Sequence, residues 1–331
     1  MQLLLTAAAY DRIKDRIAPF VGDLDIVTVD QPRSFQRNGR AISPEDVDPQ
    51  IVWSTLEGFT SGLLPTLIGT LLKSPDVKWL QTFNAGLDNP VFKQIMSKGV
   101  RITKSSAQGV TIAEYVLGHA LSLILPIDTQ KALQSQGVWA PTPHKEVSQT
   151  RWVLVGYGAI GHEIALRIKP FGVHLTVVRR NLAPLDLADD VVQMTDLSEA
   201  ITRADVVVLA CALNPETQDM ADAAFFSALK PGSILINIGR GGLVDEDALR
   251  VGLESNQPAH AVLDVFQTEP LPEGHWLWSH PKVRVSAHTS NSGLGTQDRA
   301  DLQFIDNLRR YLGDQPLTNE ASPDEVGLPA S

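Results

Sequence analysis

The chain has 331 residues, 43% of them hydrophobic, and a formal net charge of −10. This length predicts two domains with sizeable cores, and nothing in the charge balance is basic enough to suggest a face for nucleic acid. The single cysteine, Cys211, excludes an intrachain disulfide and a cysteine-based metal cluster, and we expect no metal. No apolar run reaches the ~20 residues of a membrane span, and the first residues resemble a strand rather than a signal peptide. We therefore expect a cytoplasmic protein without membrane partners.

Strands and helices alternate through the first hundred residues. Strands are predicted near 2–7, 25–29, 51–54, 79–82 and 101–102, with helices such as 10–20, 63–73 and 90–98 between them. This pattern is typical of a small parallel α/β domain. The turns 54–59 (STLEGF) and 84–88 (NAGLD) each follow a strand, so they would lie at the sheet edge where such folds bind ligands. Both could equally be ordinary turns.

An apolar helix over 111–125 is predicted to connect two domains. The polar stretch 134–149 follows it and contains two prolines, Pro141 and Pro143. Prolines at such short spacing do not fit a helix interior, and we expect a surface arm here.

The stretch 151–180 predicts a β-α-β unit: an apolar strand at 152–155, a helix from 159 to about 169, and a second strand at 174–178. Gly156, Gly158 and Gly161 form G-x-G-x-x-G at the turn from strand to helix. In this context glycines allow the tight turn, the approach of backbone to a pyrophosphate, and close packing of helix on strand. The helix start favours negative charge, which predicts a bound dinucleotide.

Arg179 and Arg180 end the second strand, 18 and 19 residues after Gly161. NAD-binding units usually carry Asp or Glu there, on the ribose 2′-hydroxyl. Guanidinium groups instead suit a 2′-phosphate, since arginine pairs with phosphate oxygens in a fixed fork. The sequence therefore favours NADP(H) over NAD(H), with a solvated surface pair as the alternative.

Five more strands are predicted near 191–193, 205–211, 233–238, 259–265 and 283–286, with helices near 197–203, 216–228 and 245–255. Together with 152–155 and 174–178 they make a doubly wound sheet of seven strands. An amphipathic helix over 296–313 is predicted to pack back on the first domain, and 314–331 is predicted to be a loose tail. The predicted fold is α/β with two doubly wound parallel-sheet domains: a flavodoxin-like substrate domain (1–103 and 295–331) and a Rossmann dinucleotide-binding domain (104–294).

Reduction of a carbonyl by a nicotinamide needs a proton donor, a group that tunes the donor, and a cation for any substrate carboxylate. The second half of the chain offers His288, Glu269 and Arg240, each placed after a predicted strand. Of the eight histidines, only His288 comes directly after a strand that should end at the binding crevice. Arg240 could instead be a surface residue of a turn, Glu269 a solvated acid of a loop, and His288 a satisfied core or surface histidine.

Asp264 lies inside an otherwise apolar strand, in LDVF. A buried acid must be paired or hydrogen-bonded. It could accept from the carboxamide of a nicotinamide, or it could cap local backbone, and the residues alone favour neither.

From residue 51 to about residue 313 the chain resembles the D-isomer-specific 2-hydroxyacid dehydrogenases. The resemblance rests on GYGAIG, INIGRGGLVDEDAL, LDVFQTEPLP and SAHTS, in this order and spacing. IAEYVLGHAL is also similar to the family's interdomain helix, and FNAGLD to its substrate loop.

The resemblance implies that Arg240 binds the substrate carboxylate and carbonyl, that His288 is the acid/base, and that Glu269 orients it. It places Asp264 at the nicotinamide. Further implied contacts are Ala159, Ile160, Ala212, Leu213, Pro215, Thr217, Ile238, Gly239 and Ser290 for the cofactor, and Leu56, Ala85 and Gly86 for the substrate. It also implies a homodimer built around the nucleotide domain, which the arm 134–149 fits, and Trp276 or Trp278 from a partner chain could line the pocket.

The two arginines depart from the common pattern and resemble the NADP-preferring glyoxylate and hydroxypyruvate reductases of this family. The resemblance thus implies reduction of a 2-oxo acid to the D-2-hydroxy acid with NADPH, or less favourably NADH. Glu269 argues against the related formate dehydrogenases, which carry Gln there. Two alternatives remain: a dinucleotide-sensing protein similar to the family's corepressors, and a phosphite-type dehydrogenase.

Overall fold

The computed structural model describes residues 1–329. Its strands are short and mostly apolar, as expected for parallel strands covered on both faces. They are β1 Gln2–Thr6, β2 Asp25–Gln31, β3 Ser34–Arg37, β4 Arg40–Ile42, β5 Ile51–Trp53, β6 Trp79–Gln81, β7 Arg101–Thr103, β8 Arg151–Val155, β9 His174–Val178, β10 Asp190–Val192, β11 Val206–Leu209, β12 Ile234–Asn237, β13 His260–Leu263 and β14 Val283–Val285.

The helices are α1 Ala7–Val21, α2 Leu56–Thr60, α3 Leu64–Lys73, α4 Pro90–Ser97, α5 Gly109–Ile124, α6 Ile127–Ser135, α7 Ala159–Ile168, α8 Leu197–Ile201, α9 Ala223–Ala228, α10 Glu246–Glu254 and α11 Gly295–Leu312. Several begin at a polar residue whose side chain accepts from a first-turn amide, as Thr6 does for α1, Thr55 for α2 and Asp245 for α10. These caps satisfy donors that a helix start leaves open.

The chain divides into two compact units. The first comprises Met1–Ala107 and the C-terminal segment from Leu294, and the second comprises Gln108–Gly293. The sequence predicts these junctions at 103/104 and 294/295. Helix α11 belongs to the first unit, where it packs against α1.

The sheet of the first unit has the order β4-β3-β2-β1-β5-β6-β7. Strands β2, β1, β5, β6 and β7 pair in parallel, while β3 and β4 add an antiparallel hairpin at one edge. The hairpin was not predicted, although its turn carries a signal. Asn38 (φ 52°) and Gly39 (φ 73°) both adopt positive φ, as the two-residue Asn-Gly turn of a hairpin requires.

The sheet of the second unit has the order β10-β9-β8-β11-β12-β13-β14, and its pairings are parallel throughout. Successive residues of β8 enter two different cores: Val153 and Val155 one, Trp152 and Leu154 the other. The chain turns from one half of the sheet to the other between β8 and β11, where doubly wound sheets bind ligands. The predicted fold of two doubly wound α/β domains is confirmed.

The predicted helix 216–228 is wrong in its first half. Only Ala223–Ala228 is helical, and Asp222 caps it by accepting from the Phe225 amide. Before the cap, Asp219 has φ 51° and Ala221 forms a bridge with Val244. A residue in the left-handed region ends helical geometry, so the segment before Asp222 forms turns rather than helix.

The prediction of a loose tail over 314–331 is also wrong for the described residues up to 329. Leu317, Ala321 and Val326 are buried in the first unit, and Glu320 forms a bridge with Thr103 and accepts from the Arg101 guanidinium at 2.7 and 2.8 Å. Pro323 begins a short helical turn, Pro323–Val326, rather than marking disorder. The last two residues of the predicted tail lie outside the described part.

Within residues 1–329 no single helix is long and apolar enough to cross a membrane. Helices α5 and α6 pass by length and composition only when taken together, and they are bent by 57° at their junction. The apolar face of α5 packs into a core of the second unit through Ile112, Ala113, Val116 and Ala120.

Candidate functional site

The glycine turn between β8 and α7 is built by close backbone approaches. Gly156 has φ 100°, and a Cβ there would lie 2.7 Å from the Cys211 amide nitrogen. A Cβ on Gly161 would lie 2.4 Å from the Gly156 carbonyl oxygen, whereas one on Gly158 would meet nothing within 4 Å. Gly156 and Gly161 are therefore required by packing, and Gly158 leaves open space at the start of α7. The first-turn residues Ala159 and Ile160 follow it, so the turn fits the pyrophosphate of a dinucleotide.

Arg179 and Arg180 have different surroundings. The Arg179 amide donates to the Val192 carbonyl, and its guanidinium carbon lies 5.9 Å from the centre of the Tyr157 ring. The Arg180 side chain is 74% exposed and lies 3.9 Å from Glu216. The two cations therefore differ in both packing and pairing.

The loop after β11, residues 212–217, closes on itself. The Thr217 hydroxyl donates to the Ala212 carbonyl at 2.8 Å and accepts from the Asn214 amide at 2.9 Å. Thr217 is buried, whereas Ala212 and Pro215 are exposed and Leu213 is half-buried. The hydroxyl of Thr217 thus shapes the loop, and the surface that the loop offers to a ligand comes from the other residues.

Glu269 and His288 form a direct pair. Nδ1 of His288 lies 2.8 Å from Oε2 of Glu269, and Oε1 of Glu269 accepts from the Phe266 amide at 3.0 Å. The carboxylate is fixed by one backbone bond and holds the imidazole through the other oxygen. This contact leaves Nε2 of His288 as the ring nitrogen available for proton exchange.

The backbone of His288 lies in the left-handed region, with φ 53°. Such a conformation costs free energy for a residue with a side chain and persists where neighbouring groups hold it. The holding group is Asp264, whose carbonyl accepts from the His288 amide at 2.8 Å. We conclude that the orientation of His288 is set by backbone as well as by Glu269.

Arg240 directly follows the buried pair Ile238 and Gly239, after β12. Its Nη1 donates to the Gly239 carbonyl at 2.8 Å, and its own carbonyl accepts from Asn237 at 2.9 Å. A Cβ on the next residue, Gly241, would lie 1.8 Å from the Phe266 carbonyl carbon. This contact places the Arg240 turn directly against the segment that carries Glu269.

The carboxylate of Asp264 caps the segment that follows His288. It is 1% exposed and accepts from the Thr289 amide at 2.8 Å, from the amide and hydroxyl of Ser290, and from the Ser286 hydroxyl at 2.6 Å. Of the two alternatives that the sequence left open, the structure therefore shows local capping. A nicotinamide carboxamide could bond to this carboxylate only by replacing one of these donors.

The groups that lie behind Asp264 were not predicted from the sequence. The Tyr115 hydroxyl on α5 lies 2.6 Å from the Ser286 hydroxyl, which in turn donates to Asp264. Burial raises the pKa of Tyr115, and burial followed by the charge of Arg284 lowers the pKa of the neighbouring His119. The serines on either side of the histidine in SAHTS were the available signal.

The candidate substrate residues Leu56, Ala85 and Gly86 belong to the first unit. Leu56 is 40% exposed and starts α2, and Ala85 and Gly86 lie half-buried in the loop after β6. The next residue of α2, Glu57, accepts from Arg12 at 2.9 Å, and Arg12 also donates to the buried Asp301. This network fixes the helix that presents Leu56.

Two more candidates are tryptophans. Trp276 packs against the core of the second unit, and Trp278 is 53% exposed with its indole nitrogen donating to the Pro272 carbonyl. Trp139, on the predicted arm, is fully exposed. Among residues 1–329 no cluster of three or more His, Cys, Asp or Glu side chains could hold a metal ion.

The chain is similar to several known proteins. A family model described as D-isomer specific 2-hydroxyacid dehydrogenase, NAD binding domain, matches residues 117–290. The human glyoxylate reductase/hydroxypyruvate reductase is 28% identical over 254 residues, which cover 74% of this chain and 77% of the human protein. D-3-phosphoglycerate dehydrogenase of Mycobacterium leprae is 30% identical over 264 residues, 78% of this chain. The match takes in only 48% of the mycobacterial protein, so the chain spans about half of that relative's length.

A solved structure is similar over nearly the whole chain. The crystal structure of a D-isomer specific 2-hydroxyacid dehydrogenase from Xanthobacter autotrophicus Py2, in complex with NADPH and MES, is 25% identical and has a TM-score of 0.76. The likeness covers 98% of this chain and 99% of that chain. Because the family model also matches more than half of the residues, the chain belongs to a family of oxidoreductases, the D-isomer specific 2-hydroxyacid dehydrogenases.

Proposed function

We propose that the protein reduces a 2-oxo acid to the D-2-hydroxy acid with NADPH. The observation that carries this proposal is the His288–Glu269 pair at 2.8 Å, in the same unit as an open glycine turn at a helix start. A proton donor of this kind serves a reaction in which an alkoxide develops. The family name supports the stereochemistry and the class of substrate.

In the proposed reaction His288, protonated, donates its proton from Nε2 to the substrate oxygen, while Glu269 holds Nδ1 and stabilises the imidazolium. Arg240 binds the substrate carboxylate and draws electron density toward the carbonyl oxygen. The reduced nicotinamide, when bound, supplies the hydride. The first unit would serve as the substrate domain, with backbone amides near Ala85 and Gly86 on the carboxylate and Leu56 beside the substrate's side chain.

The choice of NADPH rests on the two arginines after β9. The carboxylate that would accept from a ribose hydroxyl is replaced by Arg179 and Arg180, and a 2′-phosphate carries nearly two negative charges. The relative from Xanthobacter that shares the fold was solved with NADPH, which supports this choice. NADH remains a weaker alternative cofactor.

The relatives named glyoxylate reductase/hydroxypyruvate reductase make glyoxylate and hydroxypyruvate the substrates that we propose first. A cytoplasmic homodimer, joined through the nucleotide domain and the arm 134–149, is also part of the proposal. The exposed Trp139 on that arm supports a protein contact there.

A screen of glyoxylate, hydroxypyruvate, pyruvate and phenylpyruvate with NADPH tests the proposal. Cofactor oxidation that depends on a 2-oxo acid is the expected result, with Arg240→Ala raising KM for that acid. Phosphite-dependent reduction of NADP would instead identify a phosphite-type dehydrogenase. Cofactor binding without turnover of any of these compounds would contradict the proposal and favour a corepressor-like sensor.

A further inference from the structure

Arg179, at the carboxyl end of β9, forms no ion pair with a carboxylate of the described residues. It is half-buried, and within residues 1–329 no carboxylate lies within 4.0 Å of its guanidinium. Its contact is instead the face of Tyr157, 5.9 Å from guanidinium carbon to ring centre. A positive charge that is partly desolvated and without a counterion attracts an anion more strongly than a paired one.

Tyr157 stands between the first two glycines of G-x-G-x-x-G, at the turn where the dinucleotide is proposed to bind. Its ring meets His162 of α7 edge-on at 5.9 Å, so it is packed on the helix side as well. Burial raises the pKa of Tyr157, and the charge of Arg179 opposes that rise. The Tyr157 ring is therefore a packed, partly buried surface against which the Arg179 guanidinium lies.

Arg180 differs in each of these respects. Its side chain is 74% exposed and its guanidinium is 3.9 Å from Glu216, which is itself 81% exposed. A phosphate that approached Arg180 would also meet the charge of Glu216. Exposed pairs of this kind contribute little, and long exposed side chains lose rotamer freedom when they are fixed by a ligand.

We propose that Tyr157 is a specificity-determining residue, whose ring holds the Arg179 guanidinium as the receptor for the cofactor's 2′-phosphate, while Arg180 stays outside the receptor. The inference rests on the proposed preference for NADPH and assigns that preference to one arginine and its aromatic support. A cation held over a ring is already ordered before the ligand arrives, so less entropy is lost on binding.

Binding of 2′,5′-ADP and of 5′-AMP, measured by calorimetry on the full chain, tests this without turnover. The ratio of their dissociation constants isolates the 2′-phosphate from the adenosine. Tyr157→Leu should weaken 2′,5′-ADP by roughly two- to fivefold and leave 5′-AMP unchanged, since a cation–π contact contributes at that level. Tyr157→Phe keeps the ring and should stay within about twofold of the wild type. Arg179→Ala should remove most of the discrimination, and Arg180→Ala should change it by less than about twofold.

The outcomes separate the two claims. A wild-type protein that binds both nucleotides equally would refute the preference for NADPH itself. A wild-type protein that discriminates, with Tyr157→Leu discriminating equally well or losing affinity for both nucleotides in proportion, would overturn only the role of Tyr157. Equal losses in Arg179→Ala and Arg180→Ala would show a shared receptor and would overturn the assignment to Arg179 alone.

Discussion

Glu269 lies between two donors, and this makes Glu269→Gln an informative substitution. One carboxylate oxygen accepts from the Phe266 amide at 3.0 Å and the other contacts Nδ1 of His288 at 2.8 Å. Glutamine has the same size but only one acceptor oxygen. When His288 is protonated, the NH₂ of the introduced glutamine must face one of the two donors, so either the backbone bond or the imidazole contact is lost.

The size of the effect follows from the geometry. A hydrogen bond between charged groups contributes about 1.5–3 kcal/mol. Because the His288 and Glu269 side chains are 44% and 37% exposed, solvent screening reduces this to about 1–2 kcal/mol. Since about 1.4 kcal/mol corresponds to a tenfold change in rate, kcat/KM for reduction should fall roughly 5- to 30-fold.

Steady-state reduction of a 2-oxo acid by NADPH between about pH 5 and pH 9 measures this effect. Glu273→Gln is the matched control, since it removes the same charge from an exposed site four residues further on. A Glu269→Gln enzyme with the wild-type kcat/KM would refute the pairing of the two side chains.

Three further substitutions follow from the same structure. His288→Gln should lower kcat by roughly 10²–10⁴, the usual share of acid–base catalysis, with an unchanged dissociation constant for NADPH in fluorescence titration. In the wild type we expect kcat/KM with NADPH to exceed that with NADH by roughly 30- to 1000-fold, and this preference should shrink with added salt. The double variant Arg179→Asp, Arg180→Ala should largely abolish the preference. Asp205→Asn should reduce the free energy of unfolding by about 1–2 kcal/mol at pH 7, measured by denaturant titration. Burial raises the pKa of Asp205, but hydrogen bonds from Lys145 and Lys230 outweigh burial and hold it below its usual value. The stability it adds is therefore present above about pH 4 and is lost as the pH falls through the lower pKa of the folded state.

Each of these has a clear contrary result. A His288→Gln enzyme within threefold of the wild type would remove His288 from the chemistry. Equal efficiency with both cofactors in the wild type at low salt would leave both arginines as surface residues. A destabilisation by Asp205→Asn that persists unchanged at about pH 2 would show that the carboxylate's charge is not its source.

The doubly wound framework could be predicted because its signals are local. Short apolar strands, the glycines at 156, 158 and 161, and helices between strands each follow from periodicity and turn chemistry. The β3–β4 hairpin was equally readable from Asn38–Gly39 and was overlooked. The error at 216–222 has another origin, since Asp219 adopts a positive φ and Ala221 pairs with Val244, a partner 23 residues away along the chain.

The identities of the candidate site residues could be predicted from the sequence, but the contacts that orient them could not. Strand ends locate Glu269 and His288, but the positive φ of His288 is held by Asp264, which lies 22 to 26 residues before the serines that bond to its carboxylate. The sequence likewise does not distinguish the role of Arg179 from that of Arg180. Their difference arises from Tyr157 and Glu216, which only the folded chain brings to them.

The central claim is hydride transfer from NADPH to the carbonyl carbon of a 2-oxo acid. It is tested most directly by supplying NADPH that carries deuterium at C4 on either face and analysing the product by mass spectrometry and chiral separation. We expect a D-2-hydroxy acid with one deuterium at C2 from one of the two labelled cofactors. Absence of the 2-hydroxy acid, an L product, or a product without deuterium from either cofactor would contradict it.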